Sequence, residues 1–173
     1  MGIRVREAAT DDALAIAEIN VRGWRTAYRG VVSDATLDAM SVEDLRTRFT
    51  GFMADPGRAA TALVALDDDG RVTGYTSFGT PREAPSGLEE AGEVYAIYVE
   101  PDAWGSGAGR ALLAAAQDGR RDAGFLSAFL WVLEENPRAR RFYEAAGWRW
   151  DGARSRHEVE CDNLPLVRYV AEL

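Results

Sequence analysis

Three glycines at alternate positions, Gly105, Gly107 and Gly109, stand in the run Trp104-Gly105-Ser106-Gly107-Ala108-Gly109-Arg110, between a stretch of strand character and one of helix character. A strand, a glycine-rich turn and a helix start make an anion site. The first N–H groups of a helix lack intrahelical partners and the positive end of its dipole lies at the same point, while glycine permits positive φ and removes the Cβ that would hold a ligand's oxygens away. A phosphate is the natural occupant. Two phosphate motifs fit poorly: a Walker A loop closes on Gly-Lys-Ser/Thr, which Gly109-Arg110-Ala111 does not supply, and a dinucleotide fingerprint needs G-x-G-x-x-G where this chain has G-x-G-x-G in mid-chain. A structural glycine turn that holds no ligand stays open for this stretch taken alone.

The elements that would position this turn follow from periodicity. Residues 3–8 alternate apolar and polar as a half-buried strand does, and Thr10, Asp11 and Asp12 then supply a cap and first-turn acids for a helix continued by Leu14, Ile16, Ile19 and Trp24. Ser41-Val42-Glu43-Asp44 has capping-box spacing and opens a second helix reaching about Phe52. Residues 61–79 read as two strands joined at Asp69-Gly70, a hairpin signal, and 81–92 as a polar loop. Residues 93–99, rich in β-branched and aromatic side chains, form a central strand directly ahead of the glycines. After them, apolar positions 108, 111, 112, 115 and 116 line one helical face that stops at Gly124. A strand over 126–135 follows, then a helix opened by Asn136 and Pro137 and closed by Gly147, then two strands over 148–158 and 164–173. The order βααβββαβαββ, with a strand-helix-strand unit over 93–135 that demands a parallel pair, predicts an α/β fold: an open mixed sheet of about seven strands with helices on both faces, in a single domain over 1–173.

With these elements in place, the chain resembles the GCN5-related N-acetyltransferase (GNAT) superfamily. The family signature Gln/Arg-x-x-Gly-x-Gly/Ala, after a strand and before a helix, falls on residues 104–109, with Trp104 in place of Gln or Arg; the departure touches one side chain and leaves the backbone contacts of the loop intact. Downstream, Asn136-Pro137-x-Ala139-x-x-Phe142-Tyr143-Glu144-x-x-Gly147-Trp148 is similar to the family's N-x-x-A-x-x-F-Y-x-x-x-G-F segment. The resemblance runs from about residue 3 to the end of the sequence. It implies that the CoA pyrophosphate sits on Trp104, Gly105, Ser106, Gly107, Ala108, Gly109 and Arg110. It also implies that the pantetheine arm pairs with backbone groups of Ile97, Tyr98 and Val99, and that Asn136 and Tyr143 face the arm and its sulfur across a splay between neighbouring strands. Arg110, with Arg138, Arg140 or Arg141, would add charge at the phosphates; a solvated helix face explains the last three equally well.

Chemistry sets further demands. An alkyl amine titrates near pH 10, so only about one molecule in a thousand is nucleophilic at pH 7, a cost of about 4 kcal/mol unless the site assists. Attack on a thioester builds charge on the carbonyl oxygen, which backbone N–H groups stabilise, and the departing thiolate benefits from a proton donor. The resemblance gives Tyr143 the donor's role and Glu93 that of general base, since histone-acetylating members carry a glutamate eleven residues before the motif. Tyr95 and Glu83 are the alternative, ordering a relay water. Trp24 and Tyr28, four apart and so on one helical face with Arg22, Arg25 and Arg29 nearby, would line the acceptor pocket together with Glu93 and Tyr95, or pack as a staple onto the sheet. His157, the only histidine, lies in a late hairpin.

The bulk properties agree. At 173 residues, 47% hydrophobic and 28% charged, the chain has the balance of a globular domain. A formal charge of −8 argues against nucleic acid and leans towards a cationic or neutral partner. Cys161, alone, supports neither an internal disulfide nor a Cys-rich metal site and reads as an inert or exposed thiol; no metal is expected. The start lacks a signal peptide and no apolar run approaches the roughly 20 residues of a membrane span, so a cytoplasmic location is expected. The reading is an N-acetyltransferase moving the acetyl group of acetyl-CoA, as cosubstrate, to a primary amine of a small molecule or protein, with a non-catalytic acyl-CoA-binding regulatory domain as the alternative and a homodimer expected from the resemblance alone.

Overall fold

The computed structural model describes residues 2–83, 85–160 and 162–173, so Cys161 lies outside the described residues. The elements run β1 (Arg4–Glu7), α1 (Ala13–Ala27), α2 (Asp34–Ala39), α3 (Val42–Ala54), β2 (Ala60–Leu66), β3 (Val72–Gly79), β4 (Ala91–Val99), α4 (Ala108–Asp122), β5 (Ser127–Leu133), α5 (Pro137–Ala145), β6 (Arg149–Val159) and β7 (Asp162–Glu172). The seven strands form one sheet in the order β1-β2-β3-β4-β5-β7-β6. All neighbours are antiparallel except β4 and β5, the pair joined by the α4 crossover. This is the expected open mixed sheet.

Local chemistry explains most boundaries. Asp12 accepts the Ala9 N–H at 2.8 Å and pairs with Arg6 at 2.7 Å, so it ties the entry of α1 to β1, and Arg6 holds its carboxyl below the usual carboxylate range. Ser41 caps α3 by accepting the Asp44 N–H at 3.1 Å. Asn136 does the same for α5 with the Ala139 N–H at 3.0 Å, and Pro137 takes the first helical position.

Three details differ from the sequence expectations. A short helix, α2, stands between the two anticipated ones, capped by Ser33 through the Thr36 N–H, where no apolar period announces it. Strand β4 begins at Ala91, inside the anticipated loop, because Ala91 and Gly92 pair with Ser127 and Ala128 of β5. On α4 the buried face is Ala108, Leu112, Leu113, Ala116 and Arg120; Ala111 and Ala115 are only half-buried, since α4 turns Leu113 towards α5 and the end of the sheet.

Two layers cover the sheet. Ile16 and Ile19 of α1 and Met53 of α3 pack on Val64 and Tyr75 on one face. On the other, Ala108 and Leu112 of α4 meet Ala65, and Tyr143 of α5 joins Leu113, Ala116, Leu130, Val167 and Tyr169. Arg22 of α1 bonds Glu100, just past β4, at 2.5 and 3.1 Å, which fixes α1 beside the end of the central strand.

Candidate active site

Strands β4 and β5 pair at three positions only, Ala91 with Ser127, Gly92 with Ala128 and Glu93 with Phe129. Beyond these they separate. Within this region β4 also carries an extra residue: Phe78 and Ser77 of β3 face Val94 and Ala96, leaving Tyr95 as a bulge that increases the local twist. A cavity of about 790 Å³ fills the space between the parted strands, extending from the turn after β4 to the loop before it.

The glycine turn closes one end. Gly105 and Gly107 have φ of 86° and 96°, conformations a side chain rarely adopts, and Gly107 is the cap of α4. Gly109 differs: it lies inside α4 without a positive φ, and a Cβ there would meet the Phe142 ring at 3.4 Å, an ordinary van der Waals contact. The Ser106 N–H donates to Ala103, the Ala108 N–H to the Ser106 hydroxyl and the Ala111 N–H to Gly107; the N–H groups of Gly105, Gly107, Gly109 and Arg110 have no acceptor among the described residues. These unpaired donors stand at a helix start, with Arg110, Arg138 and Arg141 also lining the cavity, an arrangement whose electrostatics favour an anion. Arg140 is directed elsewhere, to the Glu134 carbonyl and the Tyr169 hydroxyl. Ser106 and Ala108 do not line the cavity; Ala108 opens α4 on its buried face.

Trp104, Ile97, Tyr98, Val99, Asn136 and Tyr143 all line the cavity. The Trp104 indole N–H donates to the Val99 carbonyl at 2.9 Å, and the Arg138 guanidinium stacks on its ring with Cζ 3.8 Å from the centroid. Three phenols converge in the middle. Burial pushes the Tyr28 hydroxyl up, and contact with Tyr98 and Asn136 draws it part of the way back. Burial, then the neighbouring Tyr28, raise both Tyr98 and Tyr143, so these hydroxyls hold their protons beyond the ordinary phenol range. Tyr28 ends α1, its ring 4.9 Å from that of Trp24, and both line the cavity.

Away from the glycine turn, Tyr95 and Trp131 of β5 form the wall, while exposed His157 of β6, paired with Leu164, lines the cavity beyond the end of β5. Tyr95 donates its hydroxyl to the Thr80 carbonyl. Glu93 is 2% exposed and does not line the cavity. Its carboxylate accepts the Arg82 backbone N–H at 2.8 Å and the Arg82 guanidinium at 2.5 and 3.1 Å. The structure therefore brings Glu93 to Arg82 rather than into the cavity, a correction to its expected place in the acceptor pocket: a strand-start glutamate on the pleat's inner side is claimed by the nearest cation. Glu83 is exposed and also lies off the cavity. Among the described residues no aspartate or glutamate lines this space, whose charged groups are arginines, so the acidity of the chain lies elsewhere.

Sequence reasoning passed over Arg82, Trp131 and the Tyr98 side chain. Arg82 sits in a polar loop without periodicity, Trp131 in an apolar strand where a core role suffices, and for Tyr98 the family resemblance implies a backbone role alone. Alternation along β4 was the usable signal: with Ile97 and Val99 packed against α4, Ala96 and Tyr98 face α1.

The Acetyltransferase (GNAT) family matches residues 22–148. The chain is 35% identical over 143 residues to the uncharacterized N-acetyltransferase YuaI of Bacillus subtilis, a match that spans 83% of this chain and 78% of that protein. It is 36% identical over 113 residues to a mycothiol acetyltransferase of Cellulomonas flavigena, spanning 63% of this chain but only 31% of that longer protein. Among solved structures, the PaiA N-acetyltransferase of Thermoplasma acidophilum in complex with coenzyme A has the same fold, with a TM-score of 0.77 at 16% identity over 100% of both chains. No helix among the described residues is long and apolar enough to cross a membrane. Glycine turn, parted strands and Asn136–Tyr143 segment thus stand in one cavity within the matched region, and the chain belongs to the GNAT family of acetyltransferases.

Proposed function

We propose that this protein transfers the acetyl group of acetyl-CoA directly to a primary amine, with both substrates bound together in the cleft between β4 and β5. The observation that carries the reading is the set of unpaired N–H groups on Gly105, Gly107, Gly109 and Arg110 at one end of a cavity that also contains Tyr143. Those donors and the surrounding arginines hold the pyrophosphate. The edge of β4 beyond Glu93, which no β5 residue pairs, receives the pantetheine arm as an added strand would be received.

In the transfer, the amine nitrogen attacks the thioester carbonyl carbon, the C–N bond forms and the C–S bond breaks. The nitrogen gives up one proton to water, the sulfur gains one from Tyr143, and water returns a proton to Tyr143, so the products are an N-acetyl amide and free CoA thiol. Tyr143 supplies the proton to the leaving sulfur: a phenol is protonated at neutral pH, and burial beside Tyr28 raises its titration further, so the donor form is the one present. Both carboxylate oxygens of Glu93 are already bonded to Arg82, so Glu93 acts as a positioning residue for that arginine.

Calorimetric titration with acetyl-CoA, beside NAD and ATP, is the test. Micromolar binding of acetyl-CoA alone, followed by thiol release with an amine, is expected. Binding without thiol release across an amine panel would favour a regulatory acyl-CoA-binding role, and no binding would overturn the proposal.

A further inference from the structure

The four arginines that line the cavity divide between its two ends. Arg110, Arg138 and Arg141 stand at the glycine turn, whereas Arg82 bonds Glu93 near the beginning of β4. Glu93 and Val99 are six residues apart on that strand, about 20 Å at the ordinary strand rise. Arg82 is therefore out of reach of a phosphate on the glycine turn and belongs to the acceptor's end.

Its setting is that of a presented recognition group. A guanidinium has five N–H donors, of which the Arg82 Nε and one Nη2 donor go to Glu93. The others have no acceptor among the described residues. Glu93 is buried and Arg82 is 64% exposed in its side chain, so the carboxylate fixes the guanidinium from the protein side and leaves the cavity side to a ligand. The Tyr95 ring, 4.9 Å from the Arg82 Cζ, fixes the group a second time. At this end Tyr95 and Trp131, which packs on Phe129, the β5 partner of Glu93, offer apolar walls, and no lining residue among those described carries a negative charge that would receive a second cationic group of the acceptor.

We infer that the acceptor is a primary amine that also bears a carboxylate, and that Arg82, positioned by Glu93, binds this carboxylate through its free guanidinium edge. The inference rests on the transfer reaction proposed above. An apolar or aromatic body between amine and carboxylate, or beside them, fits the walls; a polyamine does not. The net acidity of the chain suggested the opposite preference, and the charge inside the cleft outweighs it because only groups within about a Debye length, unscreened by bulk water, act strongly on a bound ligand.

The test compares matched amines. Phenylalanine and tryptophan are titrated into the protein saturated with CoA, beside phenethylamine and tryptamine, which keep ring and amine but lack the carboxylate. The carboxylate-bearing members are expected to bind at least about tenfold more tightly, the range of one charge-assisted bidentate contact. Arg82→Lys should lose most of that preference. Removing Arg82 alone strands Glu93, so the double variant Arg82→Gln with Glu93→Gln provides the clean comparison: it should bind both members of each pair alike and keep its affinity for CoA. Equal binding of the pairs by the unaltered protein, binding by none of the four, or a preference that survives the double variant would overturn the inference. Thiol release from acetyl-CoA is followed in parallel. A carboxylate preference in binding with no thiol release would uphold the Arg82 site and remove the transfer reaction, whereas thiol release without preference would do the reverse.

Discussion

The guanidinium of Arg138, on the first turn of α5, lies 3.8 Å above the ring of Trp104, and the same indole donates to the carbonyl of Val99, the last residue of β4. One side chain thus joins the central strand, the glycine turn and the helix that carries Tyr143. The tryptophan that replaces the family's Gln or Arg keeps a cation at this place by stacking instead of by its own charge. Trp104→Ala should release Arg138 and raise the Kd for acetyl-CoA roughly 2- to 30-fold, the equivalent of about 0.5–2 kcal/mol for a cation–π contact. Calorimetry measures it; an unchanged Kd would mean that Arg138 does not reach the phosphates.

Gly107 and Gly109 should not respond alike to alanine. At Gly107, with φ of 96°, a Cβ strains the backbone by about 1–2 kcal/mol and stands among the unpaired N–H groups, so Gly107→Ala should reduce acetyl-CoA affinity at least about tenfold. At Gly109, inside α4, alanine has suitable backbone angles and meets the Phe142 ring at 3.4 Å, an ordinary contact, so Gly109→Ala should leave Tm unchanged or raised and cost less affinity than Gly107→Ala. Measuring Tm and Kd for both variants checks the assignment. The opposite pattern would remove the phosphate site from Gly107.

Tyr143→Phe should lower kcat about 10²-fold or more with little change in acetyl-CoA binding, because the ring remains packed on Trp148 and Tyr169 and only the proton donor is lost. The pH profile carries the sign. Burial raises the folded-state titration of this phenol, so the donor form persists below and through the ordinary phenol value, and the rate should show no loss from Tyr143 ionisation up to about pH 10. A variant with unaltered kcat, or an alkaline fall in wild-type rate that disappears in it at lower pH, would remove the donor's role.

Most of the fold is legible because its signals are local. Asp69-Gly70, the Asn136-Pro137 start and the Gly147 end each act within a few residues, and strands and helices follow at the expected places. Helix α2 escapes because six residues are too few for a periodic face; a cap and contacts of Leu37 with Leu133 and Leu164 hold it, and those partners are over 90 residues away. The same holds at the site. The glycine turn is a contiguous motif and can be read directly, whereas the claim of Arg82 on Glu93 depends on a loop folding back over a strand start. The convergence of Tyr28, Tyr98 and Tyr143 joins three elements that no sequence spacing links.

The separation of β4 from β5 divides the sheet into two ladders, β1 to β4 and β5 to β6, that share three rungs. A molecule laid along the open edge supplies the missing rungs and becomes the keystone between them. Were acetyl-CoA to lie there as proposed, its occupancy would be coupled to the cohesion of the whole sheet and Tm would rise with its concentration.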